Sequence, residues 1–104
     1  KRGAKGVDEP STVQDDFGTV RRAAVATYGD TIHSFIDRSR YRGPFLPGYR
    51  ATEERPKDGP LLYIDHIVGN VALGDMNRFV AFYRDVMGFS QFQHVACKYP
   101  SSQH

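Results

Sequence analysis

The middle of this chain, Arg38–Pro60, can be neither a continuous helix nor a central strand. It holds four of the six prolines, Pro44, Pro47, Pro56 and Pro60, with Gly43, Gly48 and Gly59 beside three of them. Proline at this density removes backbone N–H donors and fixes φ. Charges gather at Glu53–Asp58, while Phe45, Leu46 and Tyr49 are apolar pins that would lay the segment onto a neighbouring body. A long connection between two compact parts fits this composition better than a loop inside one small core. The chain therefore divides into residues 1–37, a linker over 38–60, and residues 61–104.

Ahead of the linker the pattern predicts a β-hairpin. Gly18–Thr27 is rich in valine, threonine and alanine, Tyr28-Gly29-Asp30 supplies turn residues, and Thr31–Asp37 returns as the second strand. Residues 1–17 read as a short element passing into a Pro/Ser/Asp-rich connection. Behind the linker, Leu61–Val71 reads as a strand with Leu62, Ile64, His66 and Val68 on one face. Asp75–Met87 is predicted helical, with Asp75 as N-cap and Gly88 as the left-handed stop. Its apolar stripe is Met76, Phe79, Val80, Tyr83, Val86 and Met87, a core-facing pattern. Phe89–Val95 can begin another strand.

His66 is the residue that needs explaining. An imidazole in an aliphatic row requires a partner, because burying it unpaired costs roughly 1–3 kcal/mol. Either an ordinary hydrogen bond or a metal ion would serve. Val68, two residues on, shares its face and is a candidate wall of a substrate pocket. Asn70 can hold the strand end through backbone hydrogen bonds, and Gly69 signals a bulge or a close backbone approach. His33 reads as structural.

Composition narrows the partners. A formal net charge of +2, with acids and bases interspersed, gives no reason to expect nucleic acid or an anionic membrane. No apolar run approaches the roughly 20 residues of a membrane span, and no signal peptide opens the sequence. The single cysteine, Cys97, reads as a reduced thiol, which together with these absences points to the cytoplasm. The start at Lys1, without an initiator methionine, reads as the interior of a domain, so a piece of a longer product or a truncated gene is expected.

Taken together, several stretches resemble the 4-hydroxyphenylpyruvate dioxygenase family. Tyr63-Ile-Asp-His-Ile-Val-Gly-Asn-Val71, Ala72-Leu-Gly-Asp-Met-Asn77 and Val86-Met-Gly-Phe89 look like the opening of that family's catalytic half. Tyr28-Gly-Asp-Thr-Ile-His-Ser-Phe-Ile-Asp-Arg38 and Tyr41-Arg-Gly-Pro-Phe-Leu-Pro-Gly-Tyr49 resemble the end of its first half. The resemblance runs from about Arg2 to about Gln91, with the motifs in the family's order and near its separation. Residues 91–104 depart from it.

The resemblance implies an α+β chain that is an incomplete vicinal-oxygen-chelate fold, built from paired βαβββ modules. It implies Fe(2+) as cofactor, with His66 as the first of two histidines and one carboxylate around it. That arrangement leaves positions open for a 2-oxo acid and dioxygen. The second histidine and the glutamate belong to later strands of the family, and His94 and His104 are poor substitutes. The implied reaction converts 4-hydroxyphenylpyruvate and O2 to homogentisate and CO2 in tyrosine and phenylalanine catabolism, in a protein that is a homo-oligomer at full length. Two alternatives stand beside it: a hydroxymandelate synthase-like oxygenase, and a non-catalytic remnant. The 104 residues alone are expected to be inactive and to fold poorly, with strand edges and an apolar face uncovered.

Overall fold

A computed structural model describes residues 2–52 and 59–93 of the chain. Its body is a three-stranded antiparallel sheet in the order β1-β2-β3, with β1 at Gly6–Asp15, β2 at Gly18–Ala26 and β3 at Ile32–Tyr41. One helix, α1 at Met76–Asp85, follows the linker. This is an α+β arrangement, part of what the sequence implied. The Glu53–Asp58 charge cluster lies outside the described residues, as do His94, Cys97 and His104.

The hairpin forms where the sequence puts it. Thr27 N–H donates to the Thr31 carbonyl at 3.0 Å and Thr31 N–H to the Tyr28 carbonyl at 3.1 Å, closing the turn. Gly29 supplies the left-handed φ of +55° that this tight reversal needs. β3 then runs to Tyr41, four residues beyond the expected end at Asp37. It passes one irregularity, where Thr19 and Arg21 of β2 face Arg40 and Asp37. The extra residue is held by Asp37, whose carboxylate accepts the Ser39 N–H at 2.9 Å. Hydrogen bonding from Ser39, by side chain and backbone, holds the Asp37 carboxyl below the usual range.

β1 corrects the reading of residues 1–17 as largely a connection. Gly6–Asp15 is an edge strand, and it hides from pattern reading because most of its side chains are exposed. No apolar alternation is required where neither face is covered. Its proline is accommodated because Asp8 faces Ala24 while Ser11 faces Arg22, so one residue bulges out around Pro10. The β1–β2 turn is built by Asp15, whose carboxylate accepts the Phe17 N–H at 2.8 Å. Gly18 follows with φ +126°, and a β-carbon there would overlap the Arg40 carbonyl oxygen.

The core of this sheet is small: Val20, Ala24 and Tyr41 are its buried hydrophobic residues. The Tyr41 hydroxyl donates to Asp15 Oδ2 at 3.1 Å, tying the end of β3 back to the first turn. The Arg38 guanidinium lies 5.7 Å from the Tyr41 ring centroid and donates to the Gly43 carbonyl at 3.2 Å. Phe45 and Tyr49 of the linker pack edge to face on each other, 4.8 Å between centroids, while both stay exposed.

α1 begins after Asp75, as expected, but that side chain does not cap the helix. It accepts instead from Arg78 Nη2 at 3.1 Å. Gly88, at φ +78°, turns the chain so that Phe89 N–H reaches the Tyr83 carbonyl at 2.9 Å. Two expected strands are corrected. Neither Leu61–Val71 nor the described part of Phe89–Val95 is a strand. A strand exists only through hydrogen bonds to a neighbour, and among the described residues none lies beside these segments.

Two measurements check this account. Gly18→Val should cost about 1–3 kcal/mol in urea unfolding followed by far-UV circular dichroism, since its φ and its closeness to Arg40 both exclude a side chain. Burial, then the Asp15 hydrogen bond, raises the Tyr41 phenol above its ordinary range. Its neutral form therefore stabilises the fold fully below about pH 10, and that contribution is lost as pH rises through the higher folded value. The urea midpoint should fall over that alkaline window in the native chain and fall less in Tyr41→Phe.

Candidate functional site

Two places carry the side chains of interest: the segment around His66, and a junction that joins α1 to the hairpin. At the junction, Tyr83 on α1 sends its hydroxyl to 2.6 Å from His33 Nε2 on β3 and to 3.1 Å from Thr27 Oγ1 at the turn. A phenol both donates and accepts, so one hydroxyl satisfies two partners. The His33 and Tyr83 rings meet edge to face at 5.5 Å, and Phe89 packs against Tyr83 at 5.5 Å. One turn earlier on the helix, Phe79 meets Tyr28 edge to face at 5.7 Å. His33 is thus held as a structural residue, in line with the sequence reading.

The stripe predicted to be core takes part in this junction through Phe79 and Tyr83, yet no helix residue is fully buried. The opposite side behaves as a solvated face. Arg84 there makes a two-point contact with Asp85, Nε to Oδ1 at 2.7 Å and Nη2 to Oδ2 at 3.1 Å. The pairing lowers the Asp85 carboxyl and raises the Arg84 guanidinium. Both groups are exposed, so the pair adds little to stability.

The His66 segment is open to solvent. Leu62, Ile64 and Val68, expected on one inward face, are 88%, 77% and 72% exposed. The His66 side chain is 72% exposed, and its Nδ1 lies 2.7 Å from Asp65 Oδ2. Adjacent side chains converge in this way only off a strand, because strand alternation would send them to opposite faces. Among the described residues no hydrogen bond engages Nε2, and a carboxylate on Nδ1 is the arrangement that orients an imidazole for a metal.

One imidazole is nevertheless not an iron site. Among the described residues, no three His, Cys, Asp or Glu side chains stand close enough to hold a metal ion. The donor set here does not fit iron by itself, and Val68 is 72% exposed. Gly69 does make the close approach its sequence position suggests. A β-carbon there would overlap the hydroxyl and Cζ of Tyr28, so the backbone runs directly against that ring. Sequence reasoning missed Tyr28, Thr27 and Tyr83 as a cluster. Their separation in sequence exceeds any local pattern, and the aromatic spacing on α1 was the one available signal.

Tyr83→Phe tests the junction. It leaves His33 Nε2 and Thr27 Oγ1 without their shared partner, at a cost of about 1–3 kcal/mol. Amide exchange in α1 should accelerate while that in the centre of β2 stays unchanged.

Comparison with known proteins bears on what the His66 segment belongs to. No family model matches the chain. A 4-hydroxyphenylpyruvate dioxygenase of Neurospora crassa is 45% identical over 100 residues, which are 89% of this chain and 24% of that protein. The same-named protein of Coccidioides posadasii is 40% identical over 101 residues, 91% of this chain and 25% of its own length. That of Dictyostelium discoideum is 38% identical over 102 residues, covering 91% and 28%. The chain is homologous to 4-hydroxyphenylpyruvate dioxygenases over about nine-tenths of its length, and spans about a quarter of theirs.

Proposed function

We propose that these residues are part of an iron(II)-dependent dioxygenase that converts 4-hydroxyphenylpyruvate and O2 to homogentisate and CO2, in the cytoplasm. The observation that carries this reading is the homology, between 37% and 45% identity across the first five relatives and nearly the whole chain. In this reading the paired vicinal-oxygen-chelate modules are divided here into an end of the first half over 1–37, a linker over 38–60, and the start of the catalytic half over 61–104.

His66 contributes one metal-binding nitrogen, Nε2, and Asp65 holds the ring by its other nitrogen. Val68 faces the substrate once the segment has strand neighbours, which restore the alternation that puts it beside His66. Iron, when bound, supplies a centre that chelates the 2-oxo acid and activates dioxygen. The remaining ligands come from residues outside this stretch, in a protein that assembles as a homo-oligomer.

A second reading is that the 104-residue chain carries no chemistry of its own. The exposure of Leu61, Leu62, Tyr63, Ile64, Ile67 and Val68 favours it, as does the single imidazole. Assaying the 104 residues alone beside the whole polypeptide separates the two. The whole polypeptide that contains these residues is purified, supplied with iron(II), 4-hydroxyphenylpyruvate and O2, and its products are identified by mass spectrometry. Homogentisate formation, lost by a factor of about 100 or more in His66→Ala as expected for a displaced metal ligand, supports the dioxygenase. Hydroxymandelate in place of homogentisate overturns the stated product, and full activity in His66→Ala overturns the role of His66. Absence of both products overturns the enzyme in favour of the inert chain.

A further inference from the structure

Gly69 is a glycine that its own backbone does not require. Its φ is not among the positive values that call for glycine at Gly18, Gly29, Gly74 and Gly88. What excludes a side chain is space. A β-carbon would overlap Tyr28 Oη and Cζ and come within 2.7 Å of Cε1. Real β-carbons do not approach other atoms so closely, so the Tyr28 ring, which packs edge to face on Phe79, would have to shift.

Tyr28 is restrained on its other side. Phe79 meets its ring edge to face at 5.7 Å, and the Tyr28 carbonyl accepts the Thr31 N–H that closes the hairpin turn. The neighbouring Thr27 holds Tyr83, one turn along the same helix from Phe79. The tip of the β2–β3 hairpin is thus clamped to α1 at two points. It presents the flat side chain of Tyr28 to a backbone that lies three residues from His66.

We propose that Tyr28 is a positioning residue for the His66 segment: its ring fills the space left by Gly69 and seats the backbone of Ile67–Val71 against the hairpin tip. The otherwise solvent-exposed segment gains a fixed point close to the imidazole. The surface of contact lies in the part of the chain before the linker, and the residue it steadies lies after it. The significance of the seat for chemistry rests on the dioxygenase reading of His66, but the seat itself does not.

A size-swap cycle in the whole polypeptide tests the proposal. Amide hydrogen exchange at Ile67–Val71 is measured in the native protein, Tyr28→Phe, Tyr28→Ala, Gly69→Ala and the double variant Tyr28→Ala/Gly69→Ala. Exchange in β2 serves as the control for general unfolding. Tyr28→Ala and Gly69→Ala should each speed exchange of the segment about tenfold, the first by removing the seat and the second by pushing the backbone off it. Tyr28→Phe, which keeps the ring, should exchange as the native protein does. The double variant should be no faster than Tyr28→Ala alone, because the added methyl then meets no ring.

Native exchange in Tyr28→Ala, or strictly additive effects in the double variant, would overturn the seat. Iron(II) affinity, followed by competition with a chromophoric chelator, is the second readout. It should weaken about tenfold in Tyr28→Ala and stay unchanged in Tyr28→Phe; native affinity in Tyr28→Ala would overturn the positioning role. A native protein that binds no iron, yet shows the exchange pattern above, removes the dioxygenase reading and leaves the seat standing.

Discussion

The hydroxyl of Tyr83 joins the two parts of this chain. The sheet is self-sufficient in backbone hydrogen bonds, with β2 paired on both sides, but α1 has no ladder to hold it. Among the described residues its attachment comes from side chains: a phenol shared by His33 and Thr27, and aromatic edges around it. A half-exposed helix of three turns is marginal in water without tertiary packing. Beside this anchor Phe79 meets Tyr28, Gly88 turns the chain back, and Phe89 packs on the Tyr83 ring.

The elements legible in the sequence are those whose signal is local. The Tyr28-Gly29-Asp30 turn and the 3, 4 and 7 spacing of α1 are both set by neighbours in sequence, and both are found. β1 was missed because an exposed edge strand such as Gly6–Asp15 has no buried face to impose an alternating pattern, and Pro10 argues against a strand unless the bulge beside it is known. The opposite error concerns Leu61–Val71. Its alternation is strand-like, but pattern describes only the faces a strand would have, and pairing partners decide whether it forms.

His66 shows the same separation between motif and geometry. The homology extends over about nine-tenths of the chain and is not confined to the residues around His66. The ring itself, exposed and paired with Asp65, supplies no coordination geometry. A metal site needs several ligands brought together in space, and one imidazole with its neighbouring carboxylate does not supply them. By contrast Gly69, read as a bulge or a close backbone approach, makes the second of these, and its partner Tyr28 was not legible.

The irregular pairing of β1 makes the sheet directional. At its outer edge an imino acid lacks the N–H that a further strand would need, and two register slips break the even spacing of the remaining groups. The far edge, along Ile32–Asp37, is paired without interruption to β2 and keeps a regular row of outward-facing amides and carbonyls. The two sides of the ribbon therefore differ in regularity: the β1 side is slipped around Pro10, and the β3 side is evenly registered over Ile32–Asp37.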